Sequence, residues 1–146
     1  MIYDRTILDV REAQRIRANK VQKNIKLSES DIETLERGML TINTLNRIEN
    51  KQKELKDLIA EKGYSIEDVY NKTWEYSGIF NVADFERIIK NLKILTEKFY
   101  LFVDTQSHTN LKNIEKNLVE LETTAEFHYT TINNIEKALA DLETML

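Results

Sequence analysis

The chain contains no proline, no cysteine and only three glycines in 146 residues. Without proline, nothing removes a backbone donor inside a helix, so long helices can run uninterrupted. Without cysteine, a disulfide framework and a thiolate metal site are both excluded. No window approaches the roughly 18 apolar residues that a membrane-spanning helix needs. The opening Met1-Ile-Tyr-Asp-Arg has no apolar core of a secretory signal, so a soluble product made in the cytoplasm is expected, with no membrane partner.

What is present points to helices. Apolar residues make up 41% of the chain and charged residues 32%, enough for one core of ordinary size with a solvated surface. Ile42, Leu45, Ile48, Leu55, Leu58 and Ile59 recur at helical spacing and predict a helix over about 41–62. Val82, Phe85, Ile88, Ile89, Leu92, Leu95, Phe99 and Phe102 predict a second over about 81–104. Leu111, Ile114, Leu118 and Leu121 mark a third, and Ile132, Ile135, Leu139, Leu142 and Leu146 a fourth. Short helices are expected at about 29–37 and 66–76. Ser28, Ser65 and Asn81, each with Asp three residues on, are N-cap candidates. Gly38, Gly63 and Gly78 sit where left-handed residues closing helices would be expected. No run alternates with period two. The fold class is all-α, an elongated helical bundle of about four long and two to three shorter helices.

The net charge of −4 is unevenly spread. Residues 1–27 carry seven Lys/Arg against three acids, and the remainder carries 14 basic and 22 acidic side chains. Residues 5–26 read as a helix with a narrow apolar stripe: Ile7, Val10, Ala13, Ile16, Val21 and Ile25. Such a helix buries little area alone, and either projects toward another chain or lies along the bundle. The division is accordingly a basic N-terminal arm over 1–38 and a bundle body over 39–146. The arm's charge suits nucleic acid, the acidic body of a neighbouring copy or another acidic protein, or is simply a solvated face.

One helix start recurs. Thr44-Leu-Asn-Arg-Ile-Glu49 resembles Asp84-Phe-Glu-Arg-Ile-Ile89, Asn110-Leu-Lys-Asn-Ile-Glu115 and Thr131-Ile-Asn-Asn-Ile-Glu136. The polar residues suit capping and the two apolar residues, three apart, suit a core. Irregular intervals between the copies exclude a solenoid. Glu49, Glu115 and Glu136 follow core residues at equivalent places and are expected to be exposed.

The signatures of chemistry are missing. His108 and His128 precede different helices, no Glu-x-x-His occurs, and no two glycines lie close enough for a phosphate loop. No metal, cofactor or catalytic site is expected. Acids interleave with the arm's cations and no aromatic residue lies between 4 and 63, which argues against a nucleic-acid partner. Aromatic residues cluster instead at 64–80 and 99–102. They are expected to pack together at one end of the core, or to offer Trp74 and Tyr76 as an interface anchor, with Tyr70 and Trp74 sharing a helix face.

The opening Tyr3-Asp-Arg-Thr-x-x-Asp-Val10 resembles the start of small helical proteins encoded in tail gene clusters of Firmicutes phages and prophages. Their Asp-Leu-Asn-Arg-Val/Ile-Glu segment is similar to Thr44-Leu-Asn-Arg-Ile-Glu49, and their Gly-Tyr and Trp region to Gly63-Tyr64 and Trp74. Their Asn-Val/Ile-x-x-Leu helix is similar to the stretch from Asp84 to Lys93, and their closing Tyr-x-x-Ala-Asn-x-Ile-Glu-x-x-Leu to the stretch from Tyr129 to Leu139. The order is preserved over most of the chain. The long charged stretch from Arg11 to Ser30 departs from the pattern, as does the lack of prolines before two helices. The resemblance implies a non-enzymatic structural part of a phage tail, baseplate or fibre, or of a tail-like particle. Its partners would then be other virion proteins or further copies of itself. A small helical adaptor or regulator is the alternative. The residues expected to dock are Tyr3, Arg5, Ile7, Val10, Arg11 and Arg15 on the arm, with Trp74 and Tyr76.

Overall fold

The computed structural model describes residues 1–75, 78–123 and 128–146. Among them are six α-helices and no strand: α1 (Ile7–Ile16), α2 (Glu29–Gly38), α3 (Ile42–Glu61), α4 (Val82–Phe99), α5 (His108–Glu122) and α6 (Tyr129–Thr144). No helix among these residues is long and apolar enough to cross a membrane. Helices α3 to α6 form the body, with α4 packed against α3, α5 and α6 and with α6 also against α3 and α5. The apolar stripes meet as expected: Leu55 and Ile59, Leu92 and Leu95, Leu111 and Leu118, Leu139 and Leu142 are all essentially inaccessible. Burying an aliphatic side chain of this size is worth about 1.5–3 kcal/mol, so this face drives the fold.

Two capping boxes start helices where serine and asparagine predict them, Ser28 with Asp31 on α2 and Asn81 with Asp84 on α4. A third joins Thr6 and Asp9 and opens α1. The predicted helix over 5–26 is shorter: α1 is followed by a π-helical turn at Arg17–Val21, and Asn24 takes the left-handed conformation (φ 55°) that reverses the chain. The second predicted helix ends at Phe99, where the bonds tighten to i→i−3, Leu101 N–H to Lys98 O (3.0 Å) and Phe102 N–H to Phe99 O (3.3 Å), and Phe102 lies edge-on against Phe99 (5.0 Å).

The predicted helix over 66–76 does not form in the described residues. The chain there is extended and irregular, and its backbone groups bond to side chains of α3 and α4 rather than to one another. Ser65 therefore caps nothing, and Tyr70 and Trp74 share no helix face. Tyr70 is exposed, whereas Trp74 is buried against Phe80 with centroids 5.8 Å apart. The aromatic residues split into two nests, since Tyr64 stacks on Phe102 instead (5.9 Å).

Among the described residues Gly63 is a left-handed glycine (φ 93°). Gly38 is the last residue of α2, where a Cβ would come 2.1 Å from the Asp9 carbonyl oxygen and 2.5 Å from Ala13 Cβ. It is there for a close helix crossing, not for a turn.

Candidate functional site

Three asparagines organise the irregular parts of the chain in one way. Each uses its amide to hold both backbone groups of one residue outside the helices. Asn46 takes the N–H of Trp74 (2.7 Å) and donates to its C=O (3.0 Å). Asn91 does the same for Tyr70 (3.3 and 2.7 Å). Asn133 does it for Arg5 (3.1 and 3.0 Å). Asn46 and Asn133 occupy the same place in the recurring helix start, and in both copies the glutamate three residues on completes the grip. Glu49 accepts from Lys72 N–H (2.9 Å), and Glu136 accepts from Ile2 N–H.

Those two glutamates are not exposed. Glu49 and Glu136 are fully buried, because each is neutralised by arginine. Arg87 approaches both Glu49 oxygens (2.5 and 2.9 Å). Glu136 Oε1 receives Arg5 (3.3 Å) and Arg47 (2.5 Å), and Arg47 continues to Glu36 (3.3 Å). Burial pushes the Arg5 pKa below its ordinary value, opposed by the Glu136 charge. At Arg87 burial pulls the same way, but Glu49 outweighs it and the pKa is raised. A buried carboxylate is tolerable only with such partners. Glu115, in the third copy, is half-buried, and the Tyr100 pKa is raised first by burial and then by the Glu115 charge.

These contacts give the motif residues a folding role. Asp4, Arg5, Thr6 and Asp9 pin the N-terminal segment to α6, cap α1 and bind Arg37 of α2 (3.1 Å to Asp4, 3.3 Å to Asp9). Asn46, Arg47 and Glu49 tie the irregular segment and α6 to α3. A surface for partners must be sought elsewhere.

The α1–α2 hairpin offers one. Its helices pack chiefly against each other, burying Ala13 and Ile16, and it joins the body through residues 1–5 and through Glu36, which accepts from Thr41 and Thr44 (both 2.7 Å). At the far end Lys20 reaches Asp31 (2.5 Å), and that bond with Ser28 N–H lowers the Asp31 pKa to about 2. Between Glu12 and Glu29 the sequence holds five cations and no acid: Arg15, Arg17, Lys20, Lys23 and Lys26. Ile25 N–H closes the reversal on Lys20 O (2.9 Å), and Val21 and Ile25 stand 42% and 50% exposed among those cations.

The residues expected to dock are scattered. Tyr3 is exposed with Lys137 over its ring (5.6 Å), and Ile7 is exposed. Val10 is half-buried, and Arg11 and Arg15 are exposed, Arg15 paired with Glu12 (2.9 Å). Arg5 and Trp74 are buried inside the chain, Lys72 lying over the indole (4.0 Å). Tyr76 lies outside the described residues. Val21 and Ile25 belong to the apolar stripe, and Lys23 and Lys26 to the acid-free run from Ala13 to Ser28, but none of the four is among the residues expected to dock. Among the described residues no group of three or more His, Asp or Glu is placed to hold a metal ion. Comparisons with protein-family models, curated proteins and solved structures find no match to this chain.

Proposed function

We propose that this chain is a non-enzymatic structural component of a phage tail, baseplate or fibre, or of a tail-like particle, which docks onto a neighbouring protein through the tip of its α1–α2 hairpin. The observation that carries this reading is the tip itself: exposed Arg17, Lys23 and Lys26 flanking the exposed aliphatic Val21 and Ile25, on a hairpin that packs chiefly on its own two helices. Contiguous exposed apolar patches rimmed by polar residues mark interaction sites, and π turns recur at functional positions. The collinear order of the motifs supports the particle as the setting. The buried grips built by those motifs support a body rigid enough to present the hairpin.

Mass spectrometry of purified particles from the source strain tests the setting. The chain is expected at fixed stoichiometry, and its absence from particles while abundant in lysate would replace this reading with that of an adaptor or regulator. Exchanging Val21 and Ile25 for serine tests the surface, the expected result being a folded chain lost from particles.

A further inference from the structure

Two surfaces of this chain are complementary in charge. At the hairpin tip, Val21 and Ile25 form an aliphatic centre flanked by Arg17, Lys23 and Lys26, all exposed. On the body, α4 and α5 border a groove of about 340 Å³ walled by Val82, Phe85 and Ile89 and edged by Glu86 and Glu122. The α4 residues stand at i, i+3, i+4 and i+7, one stripe of one helix. Val82 is 71% exposed, and Ile79, just before the helix, is 80% exposed. Glu122 already pairs with Lys93, so Glu86 is the carboxylate that an arriving lysine meets.

We propose that the tip of one copy seats in the α4–α5 groove of a second copy, Val21 and Ile25 lying against the exposed Val82 with Lys23 and Lys26 beside Glu86. This rests on the reading of the tip as a docking surface, and it names the occupant. A tip-to-tip contact would set Arg17, Lys23 and Lys26 against their own copies, and a groove-to-groove contact would set Glu86 against Glu86. Only the head-to-tail arrangement joins opposite signs. A phosphodiester backbone would satisfy the lysines and leave the aliphatic centre facing water. Head-to-tail contacts are heterologous, so copies close into a ring or continue as a fibre.

Sedimentation velocity on the full chain tests this. At low salt the wild type is expected to show a mass above the 17.2 kDa monomer that rises with concentration. It should fall back toward monomer at about 0.5 M salt, where screening is effective within about 4 Å. Lys23→Glu with Lys26→Glu, and separately Glu86→Lys, should each weaken association at least tenfold while leaving the circular dichroism and melting of these exposed-site variants unchanged. All three substitutions in one chain should restore it, because the signs are then exchanged on both sides. A wild type that stays monomeric at low salt and high concentration overturns the proposal, as does association that ignores these variants. Retention on duplex DNA or on phosphatidylglycerol vesicles without self-association would assign the tip to phosphates and also overturn it. The docking reading fails separately. A monomeric wild type whose tip variants are lost from particles keeps docking and removes the second copy as occupant. Self-association alongside normal incorporation of tip variants does the reverse.

Discussion

Glu136 sits among Arg5, Arg47 and the N–H of Ile2, with its side chain and that of Arg5 fully excluded from solvent. Its charge is balanced there, and the balance is what Glu136→Gln removes. The amide keeps the shape but leaves the buried Arg5 guanidinium facing a neutral partner, while Arg47 keeps Glu36. Breaking a buried pair by neutralising one member costs about 3–5 kcal/mol, so the urea midpoint should fall by an amount that corresponds to at least about 3 kcal/mol. Asp141→Ala is the control, since its pair with Lys137 is exposed and worth about 0.5 kcal/mol or less. Asp31 makes a second case, set by pH. Its folded pKa of about 2 lies below the ordinary 3.8, first because Lys20 bonds it and then because Ser28 N–H does. A depressed carboxyl contributes stability that is present above the ordinary value and is lost as pH falls toward the folded one. The first turn of α2 should therefore loosen between about pH 4 and pH 2, read by amide exchange. Lys20→Gln should raise the Asp31 pKa only part of the way in a carbon-detected NMR titration, because the cap remains.

At the scale of elements, Gly38 decides between two opposing expectations. Glycine to alanine inside a helix normally stabilises by about 1 kcal/mol. Here the new methyl would stand 2.1 Å from the backbone oxygen of Asp9, which is no flexible side-chain end and cannot step aside. Sterics win, and Gly38→Ala should destabilise by about 1–3 kcal/mol as α1 and α2 are forced apart. Amide exchange should accelerate in both hairpin helices while α4 and α5 keep their protection. The same contrast shows which elements could be read from the sequence. The α3, α4, α5 and α6 stripes were legible because a continuous apolar face at helical spacing has one economical use, burial against other helices. The 66–76 segment misled because Ile66, Val69 and Trp74 are spaced loosely enough to suit a helix face, and all three are indeed buried. What decided its conformation lies far along the chain, in Asn46, Glu49, Arg87 and Asn91, whose side chains outcompete the local backbone bonds. The buried glutamates were missed for the same reason: a local pattern places Glu136 on a helix flank but is silent about Arg5, 131 residues away. The tip was half legible, as an acid-free run whose chain reversal at Asn24 no glycine or proline announces.

For the whole molecule, the hairpin is a unit with two separate attachments, and the N-terminal region divides into parts with different work. Residues 1–5 lie on α6 and bring Arg5 and the Ile2 N–H to Glu136, so they belong to the body even though they precede α1. Residues 17–27 make the tip and are almost wholly exposed. Removing residues 1–27 together, the simplest truncation, therefore confounds stability with docking: it uncovers Glu136 and takes from α2 its packing partner. The two effects separate when the parts are altered one at a time. Deleting residues 1–5 should lower the melting temperature of the body while leaving the tip sequence untouched. With Arg5 and its backbone grip gone, the loss should approach the about 3 kcal/mol assigned to the buried pair. Val21→Ser with Ile25→Ser should change stability by about 0.5 kcal/mol or less, as surface substitutions do, and should act on assembly alone. The measurement is thermal unfolding of both variants beside their incorporation into particles. A tip variant that melts as much below wild type as the deletion would mean that Val21 and Ile25 are packed within the chain, and the hairpin would then have to be reread as an arm folded back on its own body.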